Sequence, residues 1–299
     1  MLSILIPLYR YDLRPLIDVL SKEISGLGQT VEILVFDDGS GKEWDESNAE
    51  IKQNPLIRWI DSPTNIGRAA ARNALAAEAK MDWLLFMDCD GMPEDPHFIK
   101  MHISSIIMTE AEVIVGGRSY APQIPADPFI LHWKYGSSRE VIPAKKRAEH
   151  PFRSFMTNNF VIRKSRFEEI LFDPTIRLYG HEDTLFGLEL KNRQIHTLHI
   201  ENPMRHIGLD EKTAFLHKSE LALHNLIDLH KKGYELDVKI LKYALLFRKF
   251  GLHLLLRPFA KLKLRILKWN LLSRRPSLFL FDCYRLVYLL TVKSREFRV

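Results

Sequence analysis

Cysteine is scarce in this chain of 299 residues, which contains only Cys89 and Cys283. Two cysteines so far apart do not make a disulfide framework, and their spacing does not match a zinc site. The scarcity favours a reducing compartment, so we expect the protein in the cytoplasm. Uninterrupted apolar runs of 18 or more residues are also lacking. The sequence therefore predicts no membrane-spanning helix.

Glycine is missing from the segment that follows the first apolar stretch. Residues 3–7 have the pattern of a strand that ends at proline, and the next residues, LYRYD, contain no glycine. Sugar nucleotidyltransferases need a glycine-rich loop here, because backbone N–H groups must close around a phosphate. The segment therefore argues against that class of enzyme.

Acidic residues are almost absent from the C-terminal part of the chain. The net charge is +6, and residues 241–299 contain 14 Lys and Arg but only two acidic residues. The first 240 residues contain 29 basic and 35 acidic residues. This asymmetry predicts a domain over residues 1–234 and a basic amphipathic extension over residues 235–299.

Apolar side chains are interleaved with the cations of this extension. Trp269, for example, follows Lys268, and Ile266 follows Arg265. This pattern is typical of a segment lying on an anionic membrane and less typical of a nucleic-acid-binding surface. We expect the extension to hold the protein on the inner face of a membrane. The alternative is a set of elements that pack on the domain and keep a basic outer face. The part around residues 261–269 fits a strand as well as a helix.

Short apolar runs alternate with helical periodicities in the first half of the chain. The pattern predicts strands at 3–7, 31–36, 56–60 and 83–87, and helices at 13–24, 42–53, 68–80 and 96–108. Such alternation predicts a mostly parallel α/β sheet flanked by helices, with the loops after the strands at one edge. Residues 119–154 show poor periodicity, and we predict a long loop there.

Two aspartates end the fourth predicted strand, where residues 83–87 run directly into Asp88-Cys89-Asp90-Gly91. Carboxylates that a buried strand delivers into a turn need a cation, solvent or a ligand. Their oxygens suit Mg²⁺ or Mn²⁺ bridging to a phosphate. A solvated surface turn is the alternative interpretation.

Five motifs stand in one order along the chain. They are Pro7-Leu8-Tyr9-Arg10, Asp37-Asp38-Gly39-Ser40, Asn65-Ile66-Gly67 with Ala71-Arg72-Asn73, Asp88-Cys89-Asp90, and Gly180-His181-Glu182-Asp183. Over roughly residues 1–210 the chain thereby resembles the family 2 nucleotide-sugar glycosyltransferases of bacterial envelope polysaccharide synthesis. The resemblance implies a GT-A fold with a Rossmann-like sheet. It also implies inverting transfer of a hexose-type sugar from a nucleoside diphosphate, most commonly UDP, to a glycan or lipid-linked acceptor.

The resemblance assigns a donor side. Its residues are Pro7, Tyr9, Asp38, Asn65, Arg72 and Asp88. Pro7 and Tyr9 would line the nucleobase pocket, and Asp38 would accept a hydrogen bond from the base, because an ionised carboxylate only accepts. Arg72 would bind the diphosphate, whose geometry a planar guanidinium matches. Asp88 would face the ribose or the metal.

The resemblance also assigns a metal and a base. Asp90 would ligate Mn²⁺ or Mg²⁺, with His206 as a second candidate ligand, and Asp183 would take the proton of the acceptor hydroxyl. Asn158 and Glu182 are candidates for the acceptor side. Structural alternatives exist, since an acidic residue in the first turn of a helix favours its dipole and a histidine can be purely structural. A non-catalytic nucleotide-sugar-binding protein is the rival function.

Overall fold

The computed structural model describes residues 1–153, 155–176, 180–256 and 258–291. Its strands are β1 (Leu2–Leu8), β2 (Val31–Asp37), β3 (Ile57–Asp61), β4 (Trp83–Met87), β5 (Gly91–Pro93), β6 (Val113–Val115), β7 (Arg118–Ser119), β8 (Asn159–Arg163), β9 (Thr197–His199) and β10 (Met204–His206). Its helices are α1 (Arg14–Ile24), α2 (Lys42–Ser47), α3 (Ala49–Lys52), α4 (Arg68–Glu78), α5 (Phe98–Met108), α6 (Ile130–Arg139), α7 (Ala144–Glu149), α8 (Lys164–Ile170), α9 (Glu182–Asn192), α10 (Lys212–Lys231), α11 (Lys239–Lys249), α12 (His253–Leu256), α13 (Ala260–Leu271) and α14 (Leu278–Thr291).

Seven strands form the main sheet, in the order β3-β2-β1-β4-β8-β6-β9. The neighbours β3, β2, β1 and β4 run parallel, whereas β8 runs antiparallel to both β4 and β6. Parallel strands that are joined through helices end at the same edge of a sheet. The ends of β1, β2 and β4 therefore lie side by side, which brings three of the five motifs together.

Both faces of the sheet are buried, which explains why its strands are nearly continuous apolar runs. Along β1, Ile4 and Ile6 pack on one side, in a cluster that includes Leu16 of α1 and Phe98 of α5. Leu5 faces the other side. The second cluster includes side chains from α4, α8 and α9. The predicted mostly parallel α/β architecture is confirmed.

A small second sheet has the order β5-β10-β7. In it His206 lies opposite Gly91, and Met204 lies opposite Arg118. Its strands have two or three residues each, too few for a periodicity to predict them. The small sheet matters for the site because it holds three distant parts of the chain beside Asp90.

The prediction of a long loop at residues 119–154 is wrong, because the segment contains α6, α7 and a 3₁₀ turn at Asp127–Phe129. The buried residue of α7 is Arg147, not an apolar side chain. A helix that buries a polar residue produces no apolar periodicity, so the pattern does not reveal it. The helix predicted at 42–53 is two short helices, α2 and α3, which meet at Asn48.

The described residues fall into two compact units. The first is built from the described residues within the ranges 1–121, 140–177 and 182–208, and the second from those within 122–139, 178–181 and 209–299. The boundary expected at residue 234 stays a prediction. Positions 178 and 179 of the last motif region, and positions 257 and 292–299 of the predicted extension, lie outside the described residues.

The second unit is helical. Its core contains Leu131 of α6, Phe215 of α10, Leu271 of α13 and Phe281 of α14. The segment that fitted either a strand or a helix is the helix α13. Among the described helices, none combines the length and the apolar character that crossing a membrane requires.

Candidate active site

Asp38 fastens the end of β2 to the loop that precedes α4. Its carboxylate accepts hydrogen bonds from the backbone N–H of Ile66 at 2.6 Å and of Gly67 at 3.0 Å. Gly39 has φ 73°, and a Cβ there would lie 2.8 Å from the carbonyl carbon of Thr64, so the close approach requires glycine. Burial raises the pKa of Asp38, although the two N–H donors oppose the rise. Asp38 thus has a structural role, and the predicted contact with a nucleobase would be a second role.

The other residues predicted for the base pocket are accessible. Pro7 is half-buried within β1, and Tyr9 follows the strand with 43% of its surface exposed. The guanidinium of Arg10 lies 5.0 Å from the centre of the Tyr9 ring. Asn65 is exposed in the loop held by Asp38. These side chains line neighbouring loops at the end of the sheet, and their contact with a nucleobase stays a prediction.

Arg72 is buried beside the end of β4, with 1% of its surface exposed. Its Nη2 donates to Asp88 Oδ1 at 2.9 Å, and its Nη1 lies 3.9 Å from Glu182 Oε1. Neither Nε nor Nη1 makes a hydrogen bond within the described ranges. Each buried donor without an acceptor costs about 1–3 kcal/mol. A ligand with several oxygens would satisfy both nitrogens.

Arg118 contacts the second oxygen of the same aspartate, with its Nη2 3.4 Å from Asp88 Oδ2. Its Nη1 donates to Glu140 Oε2 at 3.1 Å, and the same oxygen accepts from the Tyr120 hydroxyl at 2.5 Å. Burial alone would lower the pKa of Arg118, but Glu140 and the neighbouring acids raise it well above its ordinary value. Asp88 is therefore held between two permanently charged guanidinium groups.

Sequence reasoning missed Arg118, Tyr120 and Glu140. The apolar strand β6 leads into Gly116-Gly117-Arg118, the same kind of signal as the strand end at Asp88. Glu140 gave no signal, because it lies in the segment with poor periodicity. Its contact with Arg118 depends on how distant segments fold together.

Asp90 and His206 face each other across the small sheet, with His206 Nδ1 3.5 Å from Asp90 Oδ1. The carbonyl of Asp90 accepts from the N–H groups of Ile207 at 2.9 Å and Gly208 at 3.3 Å. A Cβ at Gly208 would lie 2.7 Å from Asp90 Oδ2, so this position has no room for a side chain. Burial alone would raise the pKa of Asp90, but His206, and next Arg118, hold it below its usual range.

This pair fits a divalent ion. One carboxylate oxygen and one imidazole nitrogen at this separation can bind the same ion, and the donor set suits Mn²⁺ or Mg²⁺ better than a soft metal. A different acidic group, formed by Asp37, Asp45 and Asp61, also brings three carboxylates together. There, however, Lys52 Nζ lies 2.9 Å from Asp45 and 3.0 Å from Asp61. The ammonium group of Lys52 therefore already neutralises part of the negative charge of that second cluster.

Asp183 stands in the first turn of α9, next to Glu182. Its Oδ1 accepts from the backbone N–H of Thr184 at 2.7 Å. Burial, and then the charge of Glu182, raise the pKa of Asp183 to about 6, although Arg118 opposes the rise. A carboxyl group with that pKa is ionised at neutral pH and is a stronger base than an ordinary aspartate. Asp183 thus lies in the first turn of a helix, where an acidic residue favours the helix dipole. That position does not explain the burial and the neighbouring charge that raise its pKa.

Asn158 and Asn159 differ in what their side chains do. The backbone carbonyl of Asn158 accepts from the N–H of Asp88 at 3.2 Å, and its buried Oδ1 has no hydrogen-bond partner within the described residues. The Asn159 amide donates to the carbonyls of Gly117 and Asn202. Asn159 is thus structural, whereas Asn158 keeps an acceptor for a ligand.

Comparisons with known proteins bear on the family and the fold of the chain. The family model described as Glycosyl transferase family 2 matches residues 3–171, more than half of the chain. No curated protein sequence matches the chain.

Among solved structures, S. aureus TarS 1-349 is similar with a TM-score of 0.50, 16% identity, and coverage of 99% of this chain and 92% of TarS. The mannosyltransferase PcManGT from Pyrobaculum calidifontis, in complex with GDP-Man and Mn²⁺, has a TM-score of 0.53 at 10% identity. The match covers 77% of this chain and 64% of that enzyme. GalNAc-T7 with UDP, GalNAc and Mn²⁺ has a TM-score of 0.54 at 19% identity, over 70% of this chain and 43% of that one. These likenesses show the GT-A glycosyltransferase fold.

Proposed function

Because this chain belongs to glycosyl transferase family 2, we propose that it is a metal-dependent, inverting glycosyltransferase. It moves a hexose-type sugar from a nucleoside diphosphate, most simply UDP, to a glycan or lipid-linked acceptor of polysaccharide synthesis. The observation that carries the proposal is Arg72, a buried guanidinium beside Asp88 and 3.9 Å from Glu182, two of whose nitrogens have no hydrogen-bond acceptor among the described residues. Such an arrangement is ready for an anion such as a diphosphate.

The donor would be bound in two parts. Pro7, Tyr9 and Asp38, with the loop at Asn65, would receive the nucleobase, and Arg72 would bind the diphosphate. UDP is favoured because TarS was solved with UDP-GlcNAc and GalNAc-T7 with UDP. PcManGT was solved with GDP-Man, so a guanosine donor is included in the experiment below.

Asp90 and His206 would hold the divalent ion, and Asp88, held by its two arginines, would face the ribose or the metal. Mn²⁺ or Mg²⁺ supplies positive charge that stabilises a leaving diphosphate. Arg72 supplies a second, permanent positive charge for the same group. The enzyme would thereby stabilise charge at the point where it develops.

Asp183 would remove the proton of the acceptor hydroxyl as that oxygen attacks the anomeric carbon. The bond from this carbon to the diphosphate oxygen breaks in the same step, so the configuration inverts and no covalent enzyme intermediate forms. The raised pKa of Asp183 suits this task at neutral pH. Glu182 and Asn158, whose Oδ1 has no hydrogen-bond partner among the described residues, would orient the acceptor.

The protein would work in the cytoplasm, attached to the inner face of a membrane through residues 235–299. This part of the proposal rests on the excess of cations over acidic residues in the C-terminal segment. Attachment to the membrane would bring the enzyme to lipid-linked acceptors.

The test is nucleotide release from UDP- and GDP-sugars, measured with Mn²⁺, with Mg²⁺ and after chelation. We expect turnover of one UDP-sugar, its loss on chelation, and near abolition in Asp90→Asn. Donor binding without any release, in the presence of candidate acceptors, would instead establish a non-catalytic nucleotide-sugar-binding protein. Normal turnover of Asp90→Asn in excess Mn²⁺ would refute the metal assignment.

A further inference from the structure

A stripe of large apolar side chains is exposed along α13. It consists of Phe259, Leu262, Ile266 and Trp269, which are 78%, 54%, 60% and 79% exposed. Leu262, Ile266 and Trp269, at intervals of four and three residues, lie on one face of the helix, and Phe259 is the residue directly before its first turn. Four large exposed apolar residues within eleven positions of the chain form a patch, unlike the isolated apolar residues of an ordinary surface.

The opposite face of α13 already packs in the core of the helical unit. Leu271 is fully buried there, and Leu264 and Leu267 pack against the same cluster, which contains Phe281 of α14. The helix is therefore fixed by one apolar face while it presents the other. The exposed stripe is not part of the core of the unit, because the core is formed by the other face of the helix.

Cations flank the stripe. Lys261, Arg265 and Lys268 are exposed on the same helix. Between positions 241 and 291 the sequence contains a single acidic residue, Asp282, and its carboxylate is 2.8 Å from Arg139 Nη2. The surface around the stripe is thus strongly basic and complements an anionic partner.

A lipid surface fits this combination better than a protein partner does. The cores of protein interfaces are depleted in charged residues, lysine in particular. Here lysine and arginine alternate with apolar residues along the whole helix, as in helices that lie at a membrane surface. The 12 residues of α13 are far too few to cross a bilayer.

We propose that α13 lies in the headgroup layer of an anionic membrane, with Phe259, Leu262, Ile266 and Trp269 inserted. Aromatic side chains favour that layer, and each nearby cation strengthens attachment about fivefold. Leu254 and Leu255 of α12 are also exposed, and the Leu255 carbonyl accepts from Lys263 Nζ of α13 at 3.2 Å, so α12 lies beside α13. The inference rests on the membrane association proposed above, and it is independent of the transfer reaction.

The experiment is flotation of the full chain with vesicles of phosphatidylcholine, or of an equal mixture with phosphatidylglycerol. The wild type should float with the mixed vesicles and lose binding in high salt. The triple variant Leu262→Gln, Ile266→Gln, Trp269→Gln should bind at least tenfold more weakly. The triple variant Lys261→Gln, Arg265→Gln, Lys268→Gln should lose a comparable amount, and only with the anionic vesicles.

The matched control is the pair Ile107→Gln, Met108→Gln at the end of α5, since these residues are equally exposed but belong to the other unit. It should bind vesicles like the wild type. Trp269→Phe should remove the fluorescence blue shift that accompanies binding. Nucleotide release without vesicles should be unchanged in all these variants, so a failed transferase assay and a failed membrane assay are separate results.

Two outcomes would overturn the inference. One is equal flotation of the apolar triple variant and the wild type, with both folded by circular dichroism. The other is a wild type that ignores vesicles but forms dimers that the same variant abolishes. That result would make the stripe a contact between two copies of the chain.

Discussion

Two arginines of the first unit, Arg72 and Arg147, are equally buried at 1% exposure but have opposite surroundings. The Arg147 guanidinium is surrounded by acceptors, namely the carbonyls of Val115, Gly116, Ile142 and Ile200 and the Nδ1 atom of His199. Arg72 makes one hydrogen bond, to Asp88, and leaves two nitrogens without acceptors in the described structure. Burial alone therefore does not distinguish a structural charge from a functional one.

The two guanidinium groups differ in the hydrogen-bond acceptors that surround them. Arg147 ties the ends of β6 and β9 to the segment before α7, and it has no remaining donor for a ligand. Burial lowers the pKa of Arg147, and the charge of Glu201 opposes this only in part. Arg72 is held by Asp88 at the end of β4, and its Nε and Nη1 atoms make no hydrogen bond to any described residue. We interpret the first as part of the fold and the second as part of the donor site.

Next to the near abolition expected for Asp90→Asn, the largest effect on activity is expected for Asp183→Asn. The variant keeps an acceptor for the Thr184 N–H but cannot take a proton, so turnover should fall by roughly 10²–10⁴. Donor affinity should stay nearly unchanged in a binding assay with the metal. Preserved turnover with a large loss of donor affinity would make Asp183 a binding residue.

Arg147→Met should lower the free energy of unfolding. Loss of this guanidinium leaves several buried carbonyls with fewer donors, and we expect a destabilisation of about 3–5 kcal/mol. Urea unfolding measures it. Arg72→Met is the matched control and should change the free energy of unfolding by less than about 1 kcal/mol, because it removes a charge that is incompletely satisfied. Equal destabilisation by the two variants would erase the distinction between them.

For activity the order should be the opposite, with substitution of Arg72 causing a larger loss than substitution of Arg147. Arg72→Lys keeps the positive charge but loses the planar fork, and we expect kcat/KM for the donor to fall roughly 10²–10³-fold. The fraction of Arg147→Met that remains folded should turn over like the wild type. A comparison of kcat per folded molecule checks this. If Arg72→Lys retained full activity, the diphosphate would have to be bound elsewhere.

The sequence predicts the main sheet because its strands are buried on both faces and read as apolar runs. It also predicts the neighbourhood of Asp38, Arg72 and Asp88, since parallel strands end at one edge. It does not reveal the small sheet that places His206 beside Asp90, because pairing over long distances leaves no local periodicity. It misses α7 for the reason that the buried side chain of this helix is Arg147.

The roles within the site follow a similar division. The Asp88 and Asp90 pair is visible at the end of an apolar run, and Asp183 is visible through its motif. That Asp38 binds the backbone N–H groups of Ile66 and Gly67 is a tertiary contact, and no pattern indicates it. Arg118 also contacts Asp88 only in the folded chain.

The smallest effect concerns the pH dependence of turnover. Asp183 is active as a base only when ionised, and its pKa is about 6. The rate should therefore be nearly constant above pH 7 and fall roughly tenfold for each unit below pH 6. Arg118→Gln removes a charge that lowers this pKa, so the midpoint should move upward by less than about one unit. Arg205→Gln is the control, since Arg205 pairs with Glu94 and is partly exposed.

Stability gives the same pKa an independent measurement. The folded-state pKa of Asp183 lies above the ordinary value of 3.8. Between pH 4 and pH 6 the folded state therefore binds the proton more tightly than the unfolded chain does, and ionisation of this group lowers stability as the pH rises. Asp183→Asn should remove that cost and raise the free energy of unfolding by about 1–2 kcal/mol at pH 7, with no gain below pH 4. A variant that is less stable at pH 7, together with an acid limb unmoved by Arg118→Gln, would mean that Asp183 belongs with Arg147 among the structural charges.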